Sequence, residues 1–312
     1  MASPTFSSNF NGDVLDYIIK ESIVGNEAFD KGSVYVMEGV MEKQSIAKMV
    51  SSSLPIIARE AMPSTKSATV TWSEATLTPA DMMIYIDDIN PRIFENAWRP
   101  FQPKGALPNK VLDPNIQKAF ADVVLKQAQW QLGKMIWQGD VSAASSTRLN
   151  FFDGFVTRAA ASSTNIDVTN IGAITQANVL TVLEDVLAAI PDSLFGHPDF
   201  YLHMSTATYR LYQRADRALT TKGSQPWGAA DEVFGQVPIR HYSQFGANKV
   251  LGCIATNGTD SCLYAAVDKA RDVENLIIEK LRPEGEHYFL KALLKMDVNF
   301  SIDSESVFYT GS

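Results

Sequence analysis

The chain has 312 residues, 46% of them hydrophobic and 20% charged, so it is long enough for two domains or one elongated body and too apolar to be disordered throughout. Its 27 Lys and Arg stand against 35 Asp and Glu, a net charge of -8 that argues against a dedicated nucleic-acid reader while leaving a local basic patch open. The opening "MASPTFSSNFNGD" has no basic segment ahead of an apolar one, and no stretch reaches the ~20 apolar residues of a membrane span, so the expectation is a chain made in a cytoplasm and kept out of membranes.

Residues 13–29, "DVLDYIIKESIVGNEAF", place Leu15, Ile18, Ile19 and Ile23 at helical spacing and predict a short amphipathic helix in an arm separate from any core. Strand-like runs follow at 34–36, 69–72 and 83–86. Between the outer runs the chain is rich in Ser, Thr and Met, is punctuated by Pro55, Pro63 and Pro79, and lacks one long apolar period. A compact domain rarely needs such a segment, and its Trp, Ile and Met content suits burial against a partner; a protruding hairpin that packs on another molecule is expected.

Beyond a proline-broken connector, Asp113 can cap a helix with Pro114 at its first position. Ile116, Ala119, Phe120, Val123, Gln127, Trp130, Lys134 and Trp137 then recur every three or four residues, so the helix runs to about Gln138, with Gly139 to stop it and both tryptophans on its apolar stripe. Just past it, "RLNFFDGFVTR" wedges Asp153 and Gly154 between aromatics. The pair reads as a turn with positive φ at the glycine, Phe152 and Phe155 covering the helix end; a catalytic loop would need a nucleophile, base or metal ligand, and the neighbours offer only Thr157 and Arg158.

A helix is predicted over 175–190 with Val179, Val182, Leu183, Val186 and Leu187 inward, then the buried strand "DFYLHMS" and a helix capped by Ser205 or Thr206. Further strands are "IRHYSQF", "KVLGCIAT", "CLYAAV", "VENLIIEKL" and the closing segment, and no repeat appears. Asn257-Gly258 predicts a two-residue hairpin that would face Cys253 with Cys262, two reduced thiols on neighbouring strands.

Chemistry is sparse. His197, His203, His241 and His287 share no metal-ligand spacing, and His203 alternates with buried positions as a structural histidine does. No phosphate loop, dinucleotide fingerprint or nucleophile elbow occurs, and the adjacent acids Asp87-Asp88 and Glu184-Asp185 point apart or lie on a solvated helix face. No catalytic, cofactor-binding or metal-binding residue is assigned, and no enzyme is expected. Arg210, Arg214 and Arg217 share one helix face, open to phosphate, to solvent or to another subunit.

The order of parts, with "GSVYVMEGVMEK", "LTPADMMIYIDDINPRIFENAW", "PNIQKAFADVVLKQAQWQLGKMIWQGD", "FFDGF" and "DFYLHMSTATYRLYQ", resembles the major capsid proteins of tailed bacteriophages, whose fold encapsulins share. The resemblance covers about residues 33–312. It implies an α+β fold with an N-terminal arm (1–32), an extended E-loop hairpin (33–90), a P-domain (91–174) with its spine helix (114–138), an A-domain (175–275) and strands returning to the P-domain (276–312).

The implied function is structural: a major capsid protein that self-assembles into hexamers and pentamers, forming the icosahedral shell around phage double-stranded DNA, with an encapsulin-like compartment shell as the alternative. Implied partners are further copies of the chain, other virion proteins such as portal, scaffold or decoration proteins, and DNA held without sequence specificity; no cofactor and no membrane are implied. Some family members crosslink an E-loop lysine to an asparagine, but Lys43, Lys48 and Lys66 match no motif, so that chemistry is not carried over. The expectation is a chain without the long N-terminal scaffolding segment of some relatives, so that internal scaffolding, if used, comes from another polypeptide.

Overall fold

Strands that read as unbroken apolar runs, rather than alternating ones, form the centre of this molecule. The computed structural model describes residues 26–51, 70–89, 114–218, 232–268, 277–281 and 287–311. In chain order the elements are α1 (Glu27–Asp30), β1 (Tyr35–Glu38), β2 (Gln44–Ser51), β3 (Val70–Leu77), β4 (Ala80–Ile89), α2 (Pro114–Gln138), α3 (Phe155–Ala161) and β5 (Ile166–Asp167). Then follow α4 (Val179–Ala189), β6 (Phe200–Ser205), α5 (Thr206–Ala218), β7 (Val233–Phe234), β8 (Val237–Tyr242), β9 (Lys249–Ile254), β10 (Leu263–Val267), β11 (Ile277–Lys280), β12 (Tyr288–Phe300) and β13 (Val307–Thr310).

One sheet has the order β5-β13-β9-β6-β8-β7. Phe200, Leu202 and Met204 of β6, with Val250 and Ile254 of β9 and Val307 and Tyr309 of β13, pack with α4 and α5. The alternate residues, Leu251 and Cys253 of β9 and Phe308 of β13, pack instead with Leu132, Met135, Ile136 and Trp137 of α2. Both faces are therefore covered, which is why "FYLHMS" and "KVLGCI" show no polar alternation. A second sheet runs β1-β10-β12-β11, with β4 on the opposite edge of β12, and β2 and β3 form a separate antiparallel pair.

The Asn257-Gly258 hairpin does not form. β9 spends its two edges on β6 and β13, and β10 spends its own on β1 and β12, so neither has an edge left for the other. Residues 255–262 instead carry the chain between sheets, touching back where the Cys262 N–H donates to the Ile254 carbonyl at 2.8 Å. The thiols of Cys253 and Cys262 are free and lie in one core.

The helix at Pro114–Gln138 matches its predicted span; Asp113 lies outside the described residues. Its stripe divides, however. Trp137 is 0% exposed while Trp130 is 52% exposed, with the Lys134 ammonium 5.5 Å from its ring centre. Most of the predicted N-terminal helix also lies outside the described residues, but its end is no detached arm: Asn26 caps α1 by accepting the Ala28 N–H at 3.0 Å, and Ala28 and Val34 are buried in the core around α2. The helix expected from Thr175 begins at Val179, because the Asn178 side chain accepts the Thr175 N–H at 2.6 Å and donates to the Ala173 carbonyl at 3.0 Å, closing a turn there. Ser205 caps α5, accepting the Thr208 N–H at 3.0 Å.

Gly154 has φ -76° and ψ 170°, extended rather than left-handed. Glycine is needed there for space: a Cβ would lie 2.6 Å from the Met135 carbonyl oxygen and 2.7 Å from the Gly139 nitrogen. The Gly154 N–H donates to the Gly139 carbonyl at 2.9 Å, so α3 starts against the end of α2. Asp153 is occupied too, its carboxylate accepting the Val141 N–H at 2.8 Å. The "FFDGF" loop is a packed corner between two helices.

Candidate assembly surfaces

The buried polar groups of this protein form structural knots. His203 on β6 is fully buried, with Nδ1 3.0 Å from the Tyr242 hydroxyl, which in turn lies 2.6 Å from the Ser33 hydroxyl. Arg240 donates to Ser33 Oγ at 2.7 Å and to the Ala255 carbonyl at 3.2 Å, and its guanidinium sits 3.5 Å over the Tyr201 ring. The Lys31 ammonium donates to the His241 carbonyl, and Glu27 accepts from the Ser243 N–H and hydroxyl at 2.6 and 2.7 Å. The segment before β1 is thereby tied to β6 and β8.

Burial, reinforced by Arg240 and Lys31, holds the His203 imidazole well below the usual histidine range. The unfolded chain takes up a proton below about pH 6.5 that the fold refuses, so this histidine makes stability fall as pH drops below about 6.5. Relative to His203→Phe, wild type is expected to lose up to about 2 kcal/mol between pH 6.5 and 5, read from denaturant midpoints of both proteins. Equal pH slopes would contradict a neutral buried imidazole.

The two thiols and two further histidines among the described residues are likewise tied into the fold. Burial pushes the Cys253 thiol well above its ordinary value and Cys262 up to about 12, so neither is a thiolate near neutrality. His241 stacks on Tyr209 with centroids 4.5 Å apart, and His197 Nδ1 accepts the Asp199 N–H at 3.2 Å. Among the described residues, no three His, Cys, Asp or Glu are grouped to hold a metal, and no helix is long and apolar enough to cross a membrane. Arg210, Arg214 and Arg217 all lie exposed on α5, opposite its buried Tyr209, Tyr212 and Ala215. Lys43 is exposed just before β2, Lys48 is half-buried on β2, and Lys66 lies outside the described residues.

What the molecule does offer is uncovered apolar surface on paired strands. Met49 of β2 and Trp72 of β3 are directly opposed in register, 59% and 72% exposed. Met83 of β4 faces Leu293 of β12, 54% and 42% exposed, with Tyr85 and Phe289 alongside at 6.2 Å between ring centres. At the base of the hairpin, buried Asp297 accepts the Thr78 N–H at 2.7 Å and the Arg158 guanidinium at 3.0 Å. Asn299 donates to the Thr76 carbonyl at 2.8 Å. Sequence reading missed β2 and Asp297; the one available signal was a lone acid inside the run "KMDVNF", since "QSIAKMVS" has no apolar alternation.

No family model and no curated protein matches the chain. Solved structures do. The capsid of a native GTA particle aligns with a TM-score of 0.61 at 12% identity, over 100% of this chain and 96% of that one. A satellite phage P4 procapsid structure, which includes the size-determination protein Sid, aligns with a TM-score of 0.60 at 10% identity, over 95% and 98%. The capsid of Myoviridae phage XM1 gives 0.56 at 10% identity, over 100% and 96%. At such identities the likeness is one of fold, and it extends over nearly the whole of each pair: this chain has the α+β fold of phage capsid subunits.

Proposed function

We propose that this chain is a structural major capsid protein, whose copies associate into hexamers and pentamers and close into the icosahedral shell of a tailed phage. The observation that carries the reading is the end-to-end likeness to capsid subunits, 95–100% of this chain against 96–98% of theirs. The exposed Met49–Trp72 pair supports it, because uncovered apolar groups opposed on a two-stranded hairpin are suited to burial against another molecule. In this reading residues 33–90 hold the E-loop, α2 is the P-domain spine, and residues 175–275 form the A-domain. The role is geometric and asks for no catalytic group.

Double-stranded DNA is the proposed content, and portal, scaffold or decoration proteins are proposed companions in the virion, assembled in the host cytoplasm. With a net charge of -8 the subunit would hold DNA by confinement and local Arg or Lys contacts rather than by sequence readout. Light scattering and negative-stain microscopy of the purified chain, alone and coexpressed with phage partners, test this; capsomers or closed particles are expected. A strictly monomeric chain at every salt concentration, with and without partners, would overturn the reading. Shells packed with one cargo protein and no nucleic acid would move it to a compartment shell.

A further inference from the structure

We propose that α5 of one copy seats against α4 of a neighbouring copy, Arg210 and Arg214 pairing with Glu184 and Asp185. The inference rests on the shell reading and adds a contact to it. Arg210 and Arg214 are exposed one helical turn apart, about 6 Å along the axis, and neither makes an ion pair among the described residues. Arg217 extends the same face toward the helix end.

The complementary surface lies on the adjacent helix of the same layer. α4 and α5 pack into one core on one face of the six-stranded sheet, α4 beside β13 and α5 over β6 and β8. Glu184 is exposed on α4 and Asp185 half-buried, and neither has an ion-pair partner among the described residues. Thr181 and Ala188, exposed on either side of Glu184, are small enough for another helix to come close. Solvated surfaces ordinarily mix the two signs; here the exposed charges of α5 are arginines, its one acid, Asp216, being half-buried, while the charges of α4 are both acidic.

Such segregation discriminates between partners. Placing α5 on α5 would oppose like charges, whereas α5 on α4 satisfies both, and a second copy always carries the matching helix. Charge complementarity of this kind sets orientation and register more than affinity, which suits a contact repeated around a closed ring. A polyanion approaching the arginines would meet Glu184 and Asp185 on the same layer, so the observations favour a second copy over nucleic acid.

The test compares wild type, R210E/R214E and R210E/R214E/E184R by light scattering and microscopy in about 0.1 M and 1 M salt, where the screening length falls from about 10 to 3 Å. All reversed positions are exposed, and thermal melting checks that each variant stays folded. R210E/R214E is expected to lose capsomers and shells at low salt, and E184R on that background to regain them at least in part. Shells from R210E/R214E like those of wild type would overturn the inference alone, as would no recovery with E184R. Unchanged shells that no longer retain double-stranded DNA would assign the arginines to nucleic acid instead. A wild-type chain that never assembles would overturn the proposed function and this contact together.

Discussion

Trp137→Ala is expected to destabilise the subunit by about 3–5 kcal/mol, while Trp130→Ala, seven residues earlier on the same helix, should cost less than about 1 kcal/mol. The Trp137 ring is fully buried, with centroids 4.8 Å from Tyr242, 4.9 Å from Phe245, 5.6 Å from Phe155 and 5.7 Å from His203. It therefore rivets the end of α2 to β6, β8 and α3 at once, and removing it opens a cavity where these elements meet. Trp130 has water on about half its surface and one cation–π neighbour to lose. The indole N–H of Trp137 has no hydrogen-bond partner among the described residues, so Trp137→Phe should cost less than the alanine change. Thermal melting reads all three variants. Equal shifts for Trp137→Ala and Trp130→Ala would refute the division of the helix into a buried end and an exposed stretch.

The second large effect concerns assembly without folding. Replacing Met49 and Trp72 together by serine removes the most exposed apolar pair of the hairpin, at an expected cost to the subunit of no more than about 1 kcal/mol for one cross-strand pair. Closed shells should be lost altogether. Circular dichroism and melting follow the subunit, and microscopy follows the shell. Particles of normal shape and yield would show that the pair is not an intersubunit contact, and a collapsed melting transition would place it in the subunit's own core.

Much of the architecture was legible because it is written in local signals. Pro114 and Gly139 bound α2, Ser205 starts α5, and unbroken apolar runs announce a sheet covered on both faces. Less legible were outcomes decided by distant neighbours. Asn257-Gly258 has the local chemistry of a hairpin, yet β9 and β10 each found two better edges. Gly154 looked like a residue needing positive φ, while its actual constraint is the backbone of α2 passing 2.6 Å from where a Cβ would be. Trp130 and Trp137 share one periodic stripe, and nothing along the helix says where its packing partners begin.

The candidate surfaces show the same limit. The Trp, Ile and Met content between 34 and 86 was visible as composition, but the pairing of Met49 with Trp72 depends on a register between two separate strands. The Arg face of α5 could be read from spacing alone. Its counterpart on α4 became apparent only when the sheet put the two helices in one layer.

The route by which β12 joins the hairpin to the body has a mechanical meaning. This strand of 13 residues, roughly 44 Å at about 3.4 Å per residue, ladders with β4 over much of one edge and with β10 at its far end. Asp297 and Asn299 hold the hairpin root to the same strand. A pull along the hairpin enters β4 lengthwise, across hydrogen bonds that lie perpendicular to it, and loads the whole ladder in shear instead of peeling it bond by bond. The hairpin is thus set on a long anchorage, and a force along it would be shared over many bonds of the ladder before any one gave way.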